Sequence, residues 1–233
     1  MKQTQSGFTL VELSIVLVII GLIIGGVLVG QDLITQAKLR AQVAQFNQFD
    51  AAVNAFRLKY DNLPGDISSA NATAFGFTSG NGDEDGLIEG TADQTGEEVS
   101  PVFMQLSEAG FIPNRYAAGE IPITKMERGW MSVTVLDNTN NWAVGVVSTG
   151  ATWGTAGGFT GFEAWSIDNK VDDGMPNLGN VQAEGNGSAA ATDATSAADT
   201  TNCVSGATAT DTYVRSDTAG NVVACPLRVR ING

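Results

Sequence analysis

Residues 13–31 run for 19 positions without a charge, and residues 8–29 hold 16 apolar side chains among 22. A helix rises ~1.5 Å per residue, so that stretch extends about 33 Å, enough to cross a ~30 Å hydrocarbon layer. Burial inside a soluble fold is the competing reading, but soluble core helices are seldom this long and apolar on every side. The segment therefore reads as membrane-spanning. Lys2 ahead of it favours a cytoplasmic amino terminus, while Lys38 and Arg40 beyond it dilute that bias. A cleaved secretory signal places its small-residue cut after the apolar stretch. Here Gly7 precedes the stretch and no A-x-A-like site closely follows it, so the segment is expected to stay in the mature protein.

Charge divides along the same line. Residues 1–7 carry Lys2 alone and residues 8–60 carry three acids against four bases, so each part is +1. Residues 61–233 hold 22 acids, 7 bases and 23 of the 28 glycines, a net charge of −15 within a total of −13. Such a region is a poor match for a phosphate backbone, whose affinity comes from Lys and Arg. No nucleic-acid partner is expected. The chain has no histidine, which removes Ser-His-Asp and Cys-His catalysis, His-ligated zinc and an imidazole proton shuttle. Nothing marks a Ser/Lys or carboxylate dyad in their place, so no enzyme is expected.

Gly7-Phe8-Thr9-Leu10-Val11-Glu12-Leu13, set between a short basic leader and an unbroken apolar run, resembles the class III leader junction of type IV pilins and type II secretion pseudopilins. The resemblance is strong over residues 1 to about 60. It implies cleavage between Gly7 and Phe8 by a prepilin peptidase, N-methylation of Phe8, and a role for Glu12 in assembly. Residues 60–66, 80–86 and 167–176 resemble segments of a less characterised pilin-like group. Many major pilins carry proline at the position where this chain has Val29, so the resemblance leaves open which machine the subunit serves. An acid inside an apolar span costs a few kcal/mol and is rarely kept without a partner. The amine of a neighbouring Phe8 in a helical fibre is the partner expected for Glu12; snorkelling at headgroup level is the alternative.

Leu39, Val43, Phe46, Phe49, Val53, Phe56 and Tyr60 continue the helix as an apolar stripe at helical spacing. The stripe is expected to pack on a head domain; a coiled-coil seam lacks the flanking charge pairs it would need. No proline interrupts residues 8–60, so a nearly continuous helix of about 80 Å is expected. Gly21/Gly25 and Gly26/Gly30 permit close helix contact, and each also weakens the helix by about 1 kcal/mol relative to Ala.

Residues 60–65 read as the helix exit, closed by Pro64-Gly65. Beyond it, Asn81-Gly82-Asp83-Glu84-Asp85-Gly86-Leu87-Ile88-Glu89 follows the first half of an EF-hand-like loop. Asn81, Asp83, Asp85, the carbonyl of Leu87 and Glu89 are the candidate Ca²⁺ ligands. The Glu that would close such a loop is replaced by Ala92. A cluster of Asx turns rich in Gly and Asp for backbone reasons alone is the equal alternative. No cofactor is required; structural Ca²⁺ is the one candidate. Asp172-Asp173 before Gly174 reads as a turn rather than a ligand set.

Residues 100–109 carry a helix-start signature, and residues 131–136, 142–147 and 222–231 are rich in Val, Trp and Ile, suggesting an antiparallel sheet. Trp130, Trp142, Trp153 and Trp165 are read as core or sheet-packing residues, and residues 183–201 as an exposed loop. Cys203 and Cys225 are the only thiols. The topology puts them outside the cytoplasm, where an even count favours one disulfide. Pilins often staple their C-terminal region this way.

The expected fold is α+β: a long amino-terminal helix packed on a C-terminal antiparallel head, pilin-like in arrangement. Its expected divisions are a leader at 1–7, a transmembrane and filament-core helix at 8–30, an amphipathic helix at 31–60, and an acidic head with a C-terminal disulfide loop at 61–233. The resemblance implies a structural subunit polymerised into a type IV pilus or related filament. A minor or tip pilin, or a secretion pseudopilin whose head binds a ligand or surface, is the alternative. Implied partners are other pilin subunits, the prepilin peptidase, an inner-membrane assembly platform and membrane lipid. The implied location is the bacterial inner membrane, then a periplasmic or extracellular filament.

Overall fold

The computed structural model describes residues 9–90, 98–136, 138–146, 158–183, 203–205, 211–215, 223 and 225–231. Gly7, Phe8, Ala92, Val147, Trp153 and most of the 183–201 loop lie outside them.

Thr9 starts the first helix. It stands in extended conformation as N-cap, and a reciprocal capping box links it to Glu12. Helix α1 then runs unbroken over Leu10–Tyr60, 51 residues or about 77 Å. It stops where Asp61 turns left-handed (φ 58°) and donates its N–H to Arg57 O at 2.8 Å, with Arg57 and Lys59 beside the last carbonyls. The two halves of α1 differ sharply. Every large apolar side chain from Leu10 to Ile34 is exposed, whereas Leu39, Phe46, Phe49, Ala52, Val53 and Phe56 are buried on one face. Val43 and Tyr60 complete the expected stripe as half-buried residues packed against the same core.

Among the described residues three short helices follow the exit: α2 (Ser69–Phe75), α3 (Val102–Glu108) and α4 (Gly161–Val171). The strands are β1 (Trp130–Leu136), β2 (Thr139–Val146), β3 (Val181–Ala183) and β4 (Leu227–Arg230). They form one antiparallel sheet in the order β1-β2-β4-β3. Trp142 pairs with Val133 on one side and Val229 on the other, which places it in the sheet centre. The result is a long amino-terminal helix packed on an antiparallel head, an α+β type IV pilin-like arrangement.

Aromatic rings join the layers. Phe49 of α1 meets Phe103 of α3 at 5.4 Å and Trp142 of β2 at 5.7 Å, and the indole N–H of Trp142 donates to Asp50 Oδ1 at 2.6 Å. The buried indole thus gains a partner from the helix it packs against. Trp130 and Trp165 are only half-buried, so Trp142 alone of the described tryptophans is a full core residue.

The structure departs from the sequence reading in the bounds of β2 and β4 and in the presence of α4. β2 begins at Thr139, ahead of Trp142, because the left-handed Asn138 (φ 57°) lets polar Thr139, Asn140 and Asn141 pair with β1. β4 spans Leu227–Arg230 of the expected 222–231, paired with β2 along its length and with β3 over Leu227–Val229; Val222 and Ala224 lie outside the described residues. Helix α4 was not expected; it starts on a second capping box, Thr160 with Glu163.

Candidate functional site

At the start of α1, Glu12 Oε2 accepts the Thr9 backbone N–H at 2.8 Å and the Thr9 hydroxyl at 2.7 Å, while Glu12 N–H donates to Thr9 Oγ1 at 3.2 Å. The acid inside the apolar span is therefore held by its own helix terminus, where a negative charge is favourable. Above it the surface is bare hydrocarbon: Val11, Leu17, Leu22, Val29 and Leu33 are each more than 60% exposed. Among the described residues this is one helix long and apolar enough to cross a membrane.

The acidic loop is organised from outside its own motif. Asp66, 1% exposed, accepts the Glu84 N–H on Oδ1 at 2.7 Å and the Gly86 N–H on Oδ2 at 2.8 Å. Glu98 takes the amides of Asp83 (3.2 Å) and Glu89 (2.7 Å) on its two oxygens. Gly82 lies so close that a Cβ there would come within 2.2 Å of the Asp66 carbonyl carbon, so only glycine fits. Burial pushes the Asp66 and Glu98 carboxyls above the usual range, the loop amides pull them back, and the charges of nearby acids push them further up.

Of the five candidate ligands, the structure brings the carboxylates of Asp83 and Asp85 together with Asp66, their oxygens lying within 4.8 Å of one another. Glu89 is not in that group. Asn81 accepts from the Ser69 hydroxyl at 3.3 Å, and no described contact assigns a role to the Leu87 carbonyl. Asp83 and Asp85 each accept the amide two residues on, from Asp85 at 3.2 Å and Leu87 at 2.8 Å, which are the Asx turns of the alternative reading. Ca²⁺ takes about six to eight oxygens, and three converging carboxylates supply part of such a shell. Asp66 went unread because it precedes the motif; its only signal was an acid beside the Pro64-Gly65 break.

A second acidic group, Asp168, Asp172 and Asp173, closes α4. Asp168 is fully buried and accepts the Tyr213 hydroxyl at 2.9 Å and the Gly174 N–H at 3.0 Å. Burial raises its carboxyl to about 7, with the two neighbouring acids adding to the rise, and burial beside Asp168 raises Tyr213 as well. Asp172 accepts from the Asn180 and Val181 amides and Asp173 from Met175 N–H at 2.8 Å. These two acids are turn-formers, as the sequence suggested. Cys203 and Cys225 are joined in a disulfide with Cα atoms 5.1 Å apart. Cys225 also bridges Phe159 ahead of α4, and Cys203 O accepts Val214 N–H at 2.8 Å, next to Tyr213.

Residues 2–28 match the family described as the prokaryotic N-terminal methylation motif. The match falls on the residues that carry the resemblance to the class III leader of type IV pilins and pseudopilins. That match covers Gly7, Phe8 and Glu12 and ends inside the exposed half of α1. The pilin-like head beyond it has no such counterpart: no curated protein and no solved structure matches the chain.

Proposed function

We propose that the chain is a prepilin, cut between Gly7 and Phe8, methylated on Phe8, held in the bacterial inner membrane by residues 8–30 and polymerised into a type IV pilus or related filament. The observation that carries this reading is the division of α1. One 51-residue helix has a bare apolar half bearing the methylation motif and a second half sunk in the head. A helix built this way needs a non-aqueous surround for its first half, lipid before assembly and neighbouring copies after it. Contacts between identical copies that do not close on themselves generate fibres. Residues 31–60 then serve as the spine of an acidic head at 61–233. Glu12 pairs with the Phe8 amine of a neighbouring copy, and the partners are other pilin subunits, the prepilin peptidase, an inner-membrane platform and lipid. The role is structural rather than enzymatic. A structural Ca²⁺ in the 81–89 loop is part of the proposal.

Mass spectrometry of the mature amino terminus, with electron microscopy of sheared surface fractions, tests this reading. N-methylated Phe8 in fibres is the expected result. An unprocessed Met1, or a cut beyond residue 29, overturns it. The same micrographs separate an abundant subunit from a minor pilin or pseudopilin, which would label fibre ends or periplasmic stubs.

A further inference from the structure

Beside the buried half of α1 the head carries a groove of about 790 Å³, shaped by the loop between α3 and β1. Its floor is apolar, with Ile123 51% exposed next to Pro122 and Tyr116. Arg115 and Lys125 stand exposed along it, and neither forms an ion pair among the described residues. Of the acids nearby, Glu127 pairs with Lys38 at 2.9 Å, and Glu120, which keeps its charge, accepts the Ala117 amide on one oxygen at 2.8 Å.

The groove is preformed. Gln45 Nε2 donates to Ile123 O at 3.1 Å, Lys125 N–H donates to Gln42 Oε1 at 2.7 Å, and the Thr124 hydroxyl donates to Arg128 O at 2.6 Å. Two buried glutamines of α1 thus hold the loop open with its cations outward, at no folding cost on binding.

A complementary surface exists on the same chain. Residues 61–108 contain ten acids and no base, and Asp83, Asp85 and Glu89 are exposed on the loop anchored by Asp66 and Glu98. That loop lies at the far end of α1, where Glu84 and Asp85 share a cleft with Arg57 and Asp61. The groove instead lies level with Gln45. The 16 residues from Gln45 to Asp61 amount to about 24 Å along the helix. A contact between these surfaces on two copies is therefore head-to-tail, the class of contact that builds an open fibre wherever its rotation does not close a ring. Lipid headgroups fit less well, because Gln45 stands 15 residues past Gly30, about 22 Å above the apolar span, beyond the ~8 Å reach of charge at physiological salt.

We infer that the groove between Arg115 and Lys125 receives the acidic 81–89 loop of a second copy of this chain. The inference rests on the filament reading above and names the head contact within it. Its test uses filaments grown from cells carrying mixed ¹⁴N- and ¹⁵N-labelled subunits, treated with a carbodiimide that joins amines directly to carboxylates. Mixed-isotope peptides linking Lys125 to Asp83, Asp85 or Glu89 are expected. In parallel, Arg115→Glu with Lys125→Glu should lower sheared-filament yield at least tenfold with processing at Phe8 unchanged, and adding Asp83→Lys with Asp85→Lys should restore it to within about threefold. Intact fibres without the mixed-isotope link, or with full yield from the double reversal, overturn the groove contact and leave the filament reading standing. Loss of anionic-vesicle binding in the double reversal, with fibre yield unchanged, overturns it in favour of lipid. Absence of fibres from the wild-type chain overturns both.

Discussion

Glu12 closes a reciprocal capping box with Thr9, its carboxylate 2.8 Å from the Thr9 backbone nitrogen. This cap stands beside the pairing with a neighbour's amine proposed above, and the two roles can be separated. A glutamine at this position preserves the cap but not the charge. Glu12→Ala should leave cleavage intact and nearly abolish filament yield. Glu12→Gln should be almost as defective if charge pairing is the decisive role. Fibres from Glu12→Gln at wild-type yield would assign the residue to capping alone, worth about 1 kcal/mol.

Trp142 sits in the middle of the sheet, fully buried, with Phe49 and Phe103 against its ring and Asp50 on its nitrogen. Trp142→Ala should cost about 3–5 kcal/mol. Thermal unfolding of the detergent-solubilised chain reads this as a fall of roughly 6–20 °C, at about 2–4 °C per kcal/mol for a chain of this size. A fall of less than about 3 °C would show that the helix–sheet junction does not depend on this residue.

Asp168 makes stability depend on pH in the direction opposite to that of a salt-bridged carboxylate. Its folded value is raised to about 7 from an ordinary 3.8, so between those values the folded state binds more protons than the unfolded one. Stability from this group is full below about pH 4 and is lost as pH rises to about 7. Asp168→Asn should flatten the melting temperature across that window while keeping a partner for the Tyr213 hydroxyl. An unchanged slope in the variant would place the pH dependence elsewhere.

The Cys203–Cys225 bridge closes a loop of about 23 residues, for which chain entropy suggests about 3 kcal/mol. Cys203→Ser with Cys225→Ser should lower the unfolding midpoint accordingly and expose the segment around Tyr213 to proteolysis first. Equal protease resistance would mean that the Asp168–Tyr213 hydrogen bond holds the segment by itself.

Ca²⁺ offers a sharp test of the Asp66, Asp83 and Asp85 group. At about 100 times its dissociation constant a ligand adds ~2.7 kcal/mol, so millimolar Ca²⁺ should raise the melting temperature by several degrees. Asp83→Asn with Asp85→Asn should remove the rise. No shift in the wild-type chain would leave the loop to its backbone amides and the two buried carboxylates.

Long-period patterns were easy to read in the sequence and long-range partners were not. The apolar span and the stripe from Leu39 to Tyr60 repeat at helical spacing over many turns, and α1 follows them from Leu10 to Tyr60. Gln42 and Gln45 are not among the apolar stripe residues yet are buried, because the groove loop brings backbone partners that no local pattern announces. Asp66 escaped for the same reason: its amides come from residues 84 and 86. The Thr160-x-x-Glu163 capping box was a legible signal for α4 that the sequence reading did not use. β4 was read longer than Leu227–Arg230, the residues that pair with β2.

The exposed half of α1 carries 17 large apolar side chains between Leu10 and Ile34. At ~1.5 kcal/mol or more for each one moved from water, transfer of that half into aqueous solution would cost roughly 25 kcal/mol. A free soluble subunit is thus effectively forbidden as an intermediate. On the filament reading proposed above, subunits pass from lipid to neighbouring copies without crossing water, which confines growth and dismantling to the membrane end.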